Sequence, residues 1–164
     1  PHTLHLQFAG NLGLLSLGPG YNFSNDKYRV AFLYGYVPKI IANRSIHLVS
    51  VKNSFRIFQL KTGKSRLSSY AGFAPTLELG GNSFVKLPSR YPSNYYKPNA
   101  IRFSLFAGAT WRPDWYKAKG LIKRTEFFAE VVTADMLVWY KFQRTISYSQ
   151  ILSMALGVSF YIKR

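Results

Sequence analysis

The sequence predicts an all-β fold: a closed, antiparallel, up-and-down transmembrane β-barrel of eight strands whose lumen is filled by side chains. Large apolar residues alternate with small, polar or charged residues in segment after segment, which is the period of a strand with two different faces. The 164 residues suffice for one eight-stranded barrel and are too few for a wide porin. No apolar run reaches the roughly 18 to 20 residues of a membrane-spanning helix. We therefore expect a single barrel domain over residues 1–164.

The clearest alternation lies in residues 145–163. Large apolar side chains such as Phe160 occupy most even positions, and small or polar ones occupy most odd positions, with exceptions at Gln150, Ile151 and Tyr161. A soluble β-sandwich would place its large residues inside. Here small and charged residues form the second face of each predicted strand. This pattern favours a barrel whose apolar face points outward into lipid.

Four further segments, 28–38, 46–58, 66–79 and 101–112, repeat this alternation. The charged residues on their predicted inner faces are Arg29, Lys52, Arg56, Arg66, Glu78, Arg102 and Arg112. Phe106 is an aromatic exception on the inner face. A short turn joins the second segment to the third, and its Gly63 suits the positive φ that such turns require.

The segment 125–142 alternates less regularly. Its predicted inner face carries Glu126 and Glu130, but the parity becomes ambiguous beyond Asp135. A β-bulge near residues 133–135 would explain this change, because a bulge inserts one extra residue into one strand of a pair.

Residues 3–23 allow two interpretations. Apolar residues stand at even positions before Gly10 and at odd positions after Gly13. A tight turn at the glycines would give two strands and complete an even barrel, whereas a glycine bulge would leave one long strand. The sequence alone leaves both open.

The predicted connections fall alternately at the two ends of the barrel. The longest, 80–99, contains three prolines. It is the expected main external loop, because outer-membrane barrels keep short turns in the periplasm and longer loops outside. The connection 113–123 is long for a periplasmic turn.

The inward charges predict an ionic network that fills the lumen. Its predicted members are Arg29, Lys52, Arg56, Arg66, Glu78, Arg102, Arg112, Glu126 and Glu130. Buried charges require partners, so we expect Glu126 and Glu130, with only Phe128 between them on this face, at the centre of an arginine–carboxylate network. Two carboxylates in a cavity also suggest acid–base chemistry, but the surrounding arginines should keep both ionised.

The formal net charge is +16, from 22 Lys and Arg against 6 Asp and Glu. Such an excess is common in nucleic-acid-binding proteins. Here, however, the basic residues are scattered over loops, strand ends and polar strand faces, without a basic helix or an RNA-binding motif. Attraction to anionic headgroups such as lipopolysaccharide phosphates explains the excess better. We expect outer-membrane lipid, including lipopolysaccharide, as a partner, and no nucleic acid.

The whole chain, with its alternating C-terminal segment and Phe160 near the end, resembles the small outer-membrane β-barrel proteins of the OmpA, OmpX and OmpW type. Gly-Asn-Leu-Gly-Leu-Leu-Ser-Leu-Gly at 10–18 and Tyr-Gly-Tyr-Val-Pro at 34–38 resemble uncharacterised small outer-membrane barrels of Bacteroidota. The chain departs from the usual pattern in ending Tyr-Ile-Lys-Arg instead of on an aromatic residue. The resemblance implies the bacterial outer membrane and a structural, adhesive, accessory or lipid-modifying role, among which the fold does not choose.

Enzyme motifs are weak in this sequence. The lipid A deacylase type of barrel uses a His, a Ser and an acid on one outer surface. His47 and Ser50 are the nearest approximation, but their opposite strand parity directs them to opposite faces. His2 and His5 are expected to be ordinary rim residues, because three scattered histidines do not make a metal site. We expect no catalytic residues, no metal site and no cofactor.

We therefore expect a non-enzymatic integral outer-membrane barrel that is structural, or that docks as an accessory subunit to a larger envelope complex. The residues expected to face lipid or such a partner are Phe103, Leu105, Phe127, Val131, Leu156 and Phe160. A small lipid A- or phospholipid-modifying enzyme and a soluble lipocalin-like carrier are the alternatives. The carrier requires the apolar faces to point inward.

Overall fold

A computed structural model describes residues 2–80, 100–113, 121–134 and 152–163, which form one closed antiparallel β-barrel. Its strands are β1 (His2–Ala9), β2 (Leu15–Phe23), β3 (Tyr28–Val37), β4 (Ile46–Thr62), β5 (Ser65–Leu79), β6 (Ile101–Pro113), β7 (Ile122–Ala134) and β8 (Ser153–Ile162). Each strand pairs with its neighbours in sequence, and β8 pairs with β1 to close the barrel. The predicted all-β, closed barrel of eight antiparallel strands is confirmed.

The N-terminal segment contributes two strands, so the single long strand considered above is wrong. The pairing of β1 with β2 reaches Phe8 opposite Leu15. The turn between them contains Gly10 and Gly13 at φ values of 79° and 122°. L-residues with a β-carbon rarely adopt such values, so glycine suits these two positions. The apolar pattern changes parity across the turn because even positions of β1 pair with odd positions of β2.

The connections between strands alternate between two ends, which we name the loop end and the turn end. At the turn end, β2 connects to β3 through residues 24–27, and β4 connects to β5 through Gly63, whose φ is 56°, and Lys64. At the loop end, residues 10–14 connect β1 to β2, and residues 38–45, with the short helix α1 (Lys39–Ala42), connect β3 to β4. Strands β5 and β7 also run toward the loop end.

Among the residues that the structure describes, no helix is long and apolar enough to cross a membrane.

The two faces of the barrel wall have opposite polarity. Outward side chains are mostly apolar and exposed: Phe32 is 59% exposed, and Leu105 and Leu156 are each 55% exposed. Inward side chains include fully buried polar residues, such as Gln7 and Ser50 at 0%. The sequence therefore assigned the faces of these strands correctly from parity alone.

Two irregularities differ from the sequence-based expectation. β4 continues to Thr62, and its extra residue lies between Arg56 and Phe58, where the pairing with β5 shifts. The irregularity of β7 lies near its start, between Ile122 and Arg124. The predicted bulge at 133–135 is absent as far as Ala134, since residues 133 and 134 pair regularly with β6. Asp135, the segment 145–151 and most of the predicted external loop lie outside the described residues.

The lumen is not ionic throughout, contrary to the expectation. Its buried apolar cluster consists of Leu12, Ala31, Leu33, Tyr70, Ala74, Phe106, Phe128, Val132 and Ala155. Leu12 belongs to the β1–β2 turn and is only 1% exposed, and its carbonyl accepts a 2.8 Å hydrogen bond from Ser16 Oγ. This turn therefore folds into the mouth of the barrel and covers part of the lumen at the loop end.

Glycines on the inner wall make room for the two phenylalanines of the lumen. A β-carbon on Gly157 would overlap the Phe128 ring, and one on Gly72 would lie 2.6 Å from Phe106 Cζ. We predict that Gly157→Ala lowers the free energy of unfolding by about 1–3 kcal/mol, because overpacking forces the ring or the backbone to shift. Denaturant unfolding of the folded protein in detergent measures this change. Gly80→Ala is the matched control, because a β-carbon there meets nothing within 4 Å; equal stability of the two variants would contradict the packing argument.

Candidate functional site

The centre of the lumen holds a buried ion pair between β4 and β7. Lys52 Nζ lies 2.6 Å and 2.8 Å from the two carboxylate oxygens of Glu130 and donates a third hydrogen bond of 2.8 Å to Gln7 Oε1. Tyr70 donates its hydroxyl to Glu130 Oε2 at 2.7 Å. The Lys52 ammonium also lies 4.8 Å and 4.7 Å from the ring centres of Phe106 and Phe128. Lys52 is therefore held by a carboxylate, an amide and two aromatic faces.

A second buried cluster surrounds Glu126, nearer the turn end. Arg29 Nη2 donates to Glu126 Oε1 at 2.6 Å and to the Tyr161 hydroxyl at 2.9 Å. The Tyr161 hydroxyl in turn donates to Glu126 Oε2 at 3.3 Å. Arg112 Nε lies 3.7 Å from the same oxygen. Glu126 is 2% exposed, so both cations are needed to offset the cost of burying its charge.

The cluster continues to the turn between β2 and β3 through Asp26. Asn22 Nδ2 donates to Asp26 Oδ1 at 2.8 Å, while Arg112 and Arg124 lie 3.1 Å and 2.8 Å from Oδ2. Burial opposes ionisation of Asp26, but the hydrogen bond from Asn22 and the charges of Arg124 and Arg112 outweigh it and lower the pKa of this carboxyl. The Arg124 guanidinium also lies 3.9 Å from the centre of the Tyr161 ring. Asp26 therefore forms ion pairs with both arginines through its carboxylate.

The third cluster lies at the loop end. Glu78 contacts Arg102 and accepts a 2.7 Å hydrogen bond from Arg44 Nη2. The Glu78 side chain is 3% exposed, whereas the side chains of Arg102 and Arg44 are 44% and 46% exposed. These two arginines therefore extend from the rim of the barrel to a carboxylate that is buried on its inner face.

The nine predicted members of the network divide among these clusters and the turn end. Glu126 pairs with an arginine, Arg29, as the predicted arginine–carboxylate network requires, but the cation that pairs with Glu130 is Lys52. Arg102 contacts Glu78 at the loop end, far from a common centre. Arg56 and Arg66 line a cavity at the turn end.

Sequence reasoning missed several members of these clusters. Tyr161 stands on the inward parity of β8, where its large ring is an exception to the pattern of small residues, and it is buried in the lumen. Parity alone would have identified it. Asp26 and Arg44 lie in connections, where no period indicates direction. Arg124 lies beside the irregularity that shifts the register of β7.

The expectation that His5 is a rim residue is wrong. His5 is 4% exposed inside the barrel, with Thr3 Oγ1 2.9 Å from Nε2 and Ser159 Oγ 2.9 Å from Nδ1. The odd parity of β1 directs it inward, beside the small residues of β8. His2, in contrast, is exposed and packs edge-on against Tyr21 at a ring distance of 5.3 Å.

His47 and Ser50 lie on opposite faces, as their parity requires. Ser50 is fully buried in the lumen, where its hydroxyl lies 2.9 Å from Thr76 Oγ1. His47 Nδ1 lies 2.5 Å from the Tyr34 hydroxyl on the outer face. The two residues therefore share no site.

The residues expected to face lipid or a partner lie on the outer face. Their exposed fractions are 49% for Phe103, 55% for Leu105, 46% for Phe127, 40% for Val131 and 55% for Leu156, while Phe160 is partly exposed. They belong to three adjacent strands, β6, β7 and β8.

The free space in the lumen is small. One cavity bordered by Arg29, Tyr70 and Glu126 has a volume of about 20 Å³, which is room for about one water molecule. Larger cavities, of about 410 Å³ and 750 Å³, lie at the loop end and the turn end. The interior of the described barrel therefore holds side chains, and open space is concentrated at its two ends.

No family model, curated protein or solved structure gives a match to this chain. The fold and the site themselves define an eight-stranded antiparallel barrel with an apolar outer face and a charged, densely filled interior.

We predict that Lys52→Met lowers the free energy of unfolding by about 3–5 kcal/mol, because it leaves Glu130 buried without its cation. Adding Glu130→Gln to this variant should recover part of the loss, since the unpaired charge is removed as well. Denaturant unfolding of the two single variants and the double variant gives the coupling. Lys39→Met removes an exposed lysine at the loop end and should change stability by less than about 0.5 kcal/mol. Additive losses at positions 52 and 130 would contradict the pairing.

Proposed function

We propose that this protein is an integral outer-membrane β-barrel with no catalytic activity, acting as a structural or accessory subunit of a larger envelope complex. The observation that carries the proposal is the polarity of the wall: apolar side chains point outward and are exposed, while charged ones are buried inside. Water would make such an outer face unfavourable, because exposed apolar surface costs about 25 cal/mol per Å². Lipid removes that cost.

Aromatic residues on the outer face support a membrane location. Near the turn end, ring contacts run without a break across β1 to β4, with centroid distances of 5.3, 4.6, 5.7 and 4.8 Å; these rings are His2, Tyr21, Phe23, Tyr28 and Phe55. Trp111 and Phe127 stack at 5.7 Å on β6 and β7. Near the loop end, Tyr34 and Tyr36 flank His47. The band of rings at the turn end and the tyrosine cluster at the loop end suit the two interfaces of a bilayer.

A polar side chain on the outward parity of β4, Asn53, is satisfied locally. Asn53 is 9% exposed, its Oδ1 accepts a 2.8 Å hydrogen bond from the Tyr28 hydroxyl, and its Nδ2 donates to the Val51 carbonyl at 3.1 Å. Polar groups in lipid need such internal partners, because no water is available there. Asn53 is therefore compatible with a lipid-facing wall.

The filled interior supports a role that does not require passage of ions or solutes through the lumen. The Lys52–Glu130 and Arg29–Glu126 pairs cross the lumen between β4 and β7 and between β3 and β7. Interactions with other molecules then fall to the outer face and the two ends. The carrier alternative is disfavoured, because it needs an apolar interior with room for a ligand.

We predict that Leu105→Arg lowers the stability of the barrel in lipid bilayers by about 2–4 kcal/mol, because it places a charge on the lipid-facing wall. Leu121→Arg is the matched control: Leu121 is 77% exposed in the connection at the turn end, where a charge can reach water. Denaturant unfolding in phospholipid vesicles measures both. A smaller loss for Leu105→Arg than for Leu121→Arg would contradict a membrane location of this face.

The accessory role is tested by purification from native membranes in mild detergent. We expect a larger protein to co-purify in fixed ratio with the wild-type chain. Leu105→Ala and Leu156→Ala on the β6–β8 face should weaken this association, whereas Phe32→Ala, across the barrel on β3, should leave it unchanged. Purification of the barrel alone would contradict the accessory role while leaving a structural role in the membrane.

A further inference from the structure

The turn end contains the largest of the cavities described above, at about 750 Å³. Its wall includes residues of β2, β4, β5, β6, β7 and β8 together with the β2–β3 turn. We name this cavity the turn-end vestibule and define it by the side chains that matter here, which are Asp26, Arg56, Gln59, Arg112, Lys123 and Arg124.

The vestibule has more positive charge than its own carboxylates neutralise. Arg56, Arg66, Arg112, Lys123 and Arg124 carry five positive charges, and Asp26 carries one negative charge. Including the buried Arg29–Glu126 pair beneath leaves the difference at four. The connecting sequence 114–120 contains two lysines and one aspartate, so its composition does not reverse the sign.

Two of these cations form no ion pair with the residues that the structure describes. Within the described part of the chain, neither the Arg56 guanidinium nor the Lys123 ammonium has a carboxylate within ion-pair distance, whereas Arg112 and Arg124 are both engaged with Asp26. Arg56 lies on the inward face of β4, and Lys123 lies at the shifted register of β7. Both can therefore pair with a ligand without breaking an ion pair of the barrel.

Hydrogen-bond donors without acceptors are also concentrated here. Gln59 Nε2, Arg112 Nε and Arg124 Nε are buried atoms of the vestibule wall, and none has a hydrogen-bond partner among the described residues. Arg29 Nε, deeper in the lumen, is likewise buried and has no hydrogen-bond partner among the described residues. Buried N–H groups are normally satisfied by protein, water or a ligand. Asn22 Oδ1 is a buried acceptor of the same wall that also has no partner among the described residues, so the three unpaired donors outnumber it. A positively charged site in which donors outnumber acceptors is complementary to an oxyanion.

We propose that the turn-end vestibule binds a phosphate group, with Arg56 and Lys123 as its main ligands and with Arg124 and Gln59 as further donors. A phosphate offers several acceptor oxygens and up to two negative charges, which match the excess charge and the free donors of this wall. The volume of about 750 Å³ exceeds what a single phosphate needs, so a phosphate carried on a headgroup-sized molecule also fits. This inference does not depend on the accessory role proposed above.

The test is a calorimetric titration of the whole protein in a neutral detergent at low salt. Inorganic phosphate and glycerol 3-phosphate are titrated separately. We expect saturable binding that weakens as salt rises. Arg56→Ala and Lys123→Ala should each weaken it about tenfold or more, because each removes a charge-assisted hydrogen bond. Tighter binding of glycerol 3-phosphate than of phosphate would identify the source as a phosphorylated headgroup, and equal binding would identify the free anion.

Lys39→Ala is the matched control, because it removes one exposed lysine at the opposite end of the barrel. This comparison is made at about 0.1 M salt, where the Debye length is about 10 Å, and the variant should then leave the affinity within about twofold of wild type. Each variant is first checked for folding by its resistance to unfolding in detergent. The proposal is overturned if no saturable binding occurs, or if Lys39→Ala weakens binding as much as the two vestibule variants do.

Discussion

The structure depends on one constraint: a charge buried in the middle of a narrow barrel must find a partner across the lumen. An eight-stranded barrel has little room for water in its interior, so an unpaired charge there costs several kcal/mol. The chain meets this constraint with pairs that join distant strands, Lys52 with Glu130 and Arg29 with Glu126. Because these pairs connect opposite parts of the wall, they also fix the distance between the strands that carry them.

Close packing and charge pairing support each other at the centre of the lumen. Glycines at positions 72 and 157 leave space on the wall, and the rings of Phe106 and Phe128 fill it. The Lys52 ammonium lies over the faces of the same two rings, which favour a cation. The aromatic exceptions on the inner face are thus part of the charge network, and replacing one component changes the environment of the others.

Much of the fold could be predicted from the sequence, because a strand has a period of two and parity states which face a residue occupies. Parity does not state how high a residue lies in the barrel or which residue it meets across the lumen. Glu126 meets Arg29, which is 97 positions away, and Glu130 meets Lys52, which is 78 positions away. These partners depend on strand stagger, and so do the separate clusters that replaced the single predicted network. Asp26 was missed for another reason, since a turn has no period.

The pairing inside the barrel also determines the charge outside it. Four of the six acidic residues lie in the described chain, and all four are in ion pairs: Asp26 is 11% exposed, and Glu78, Glu126 and Glu130 are at most 3% exposed. The interior therefore takes up these acids together with Arg29, Lys52 and Arg112, while most other Lys and Arg of the described residues lie at the rims and turns. The described residues contain 14 Lys and Arg against these four acids, and their net charge of +10 lies mainly at the two ends of the barrel. There this positive charge attracts anionic groups over about a Debye length. At the turn-end vestibule the same attraction acts on a cavity that can hold an anionic group.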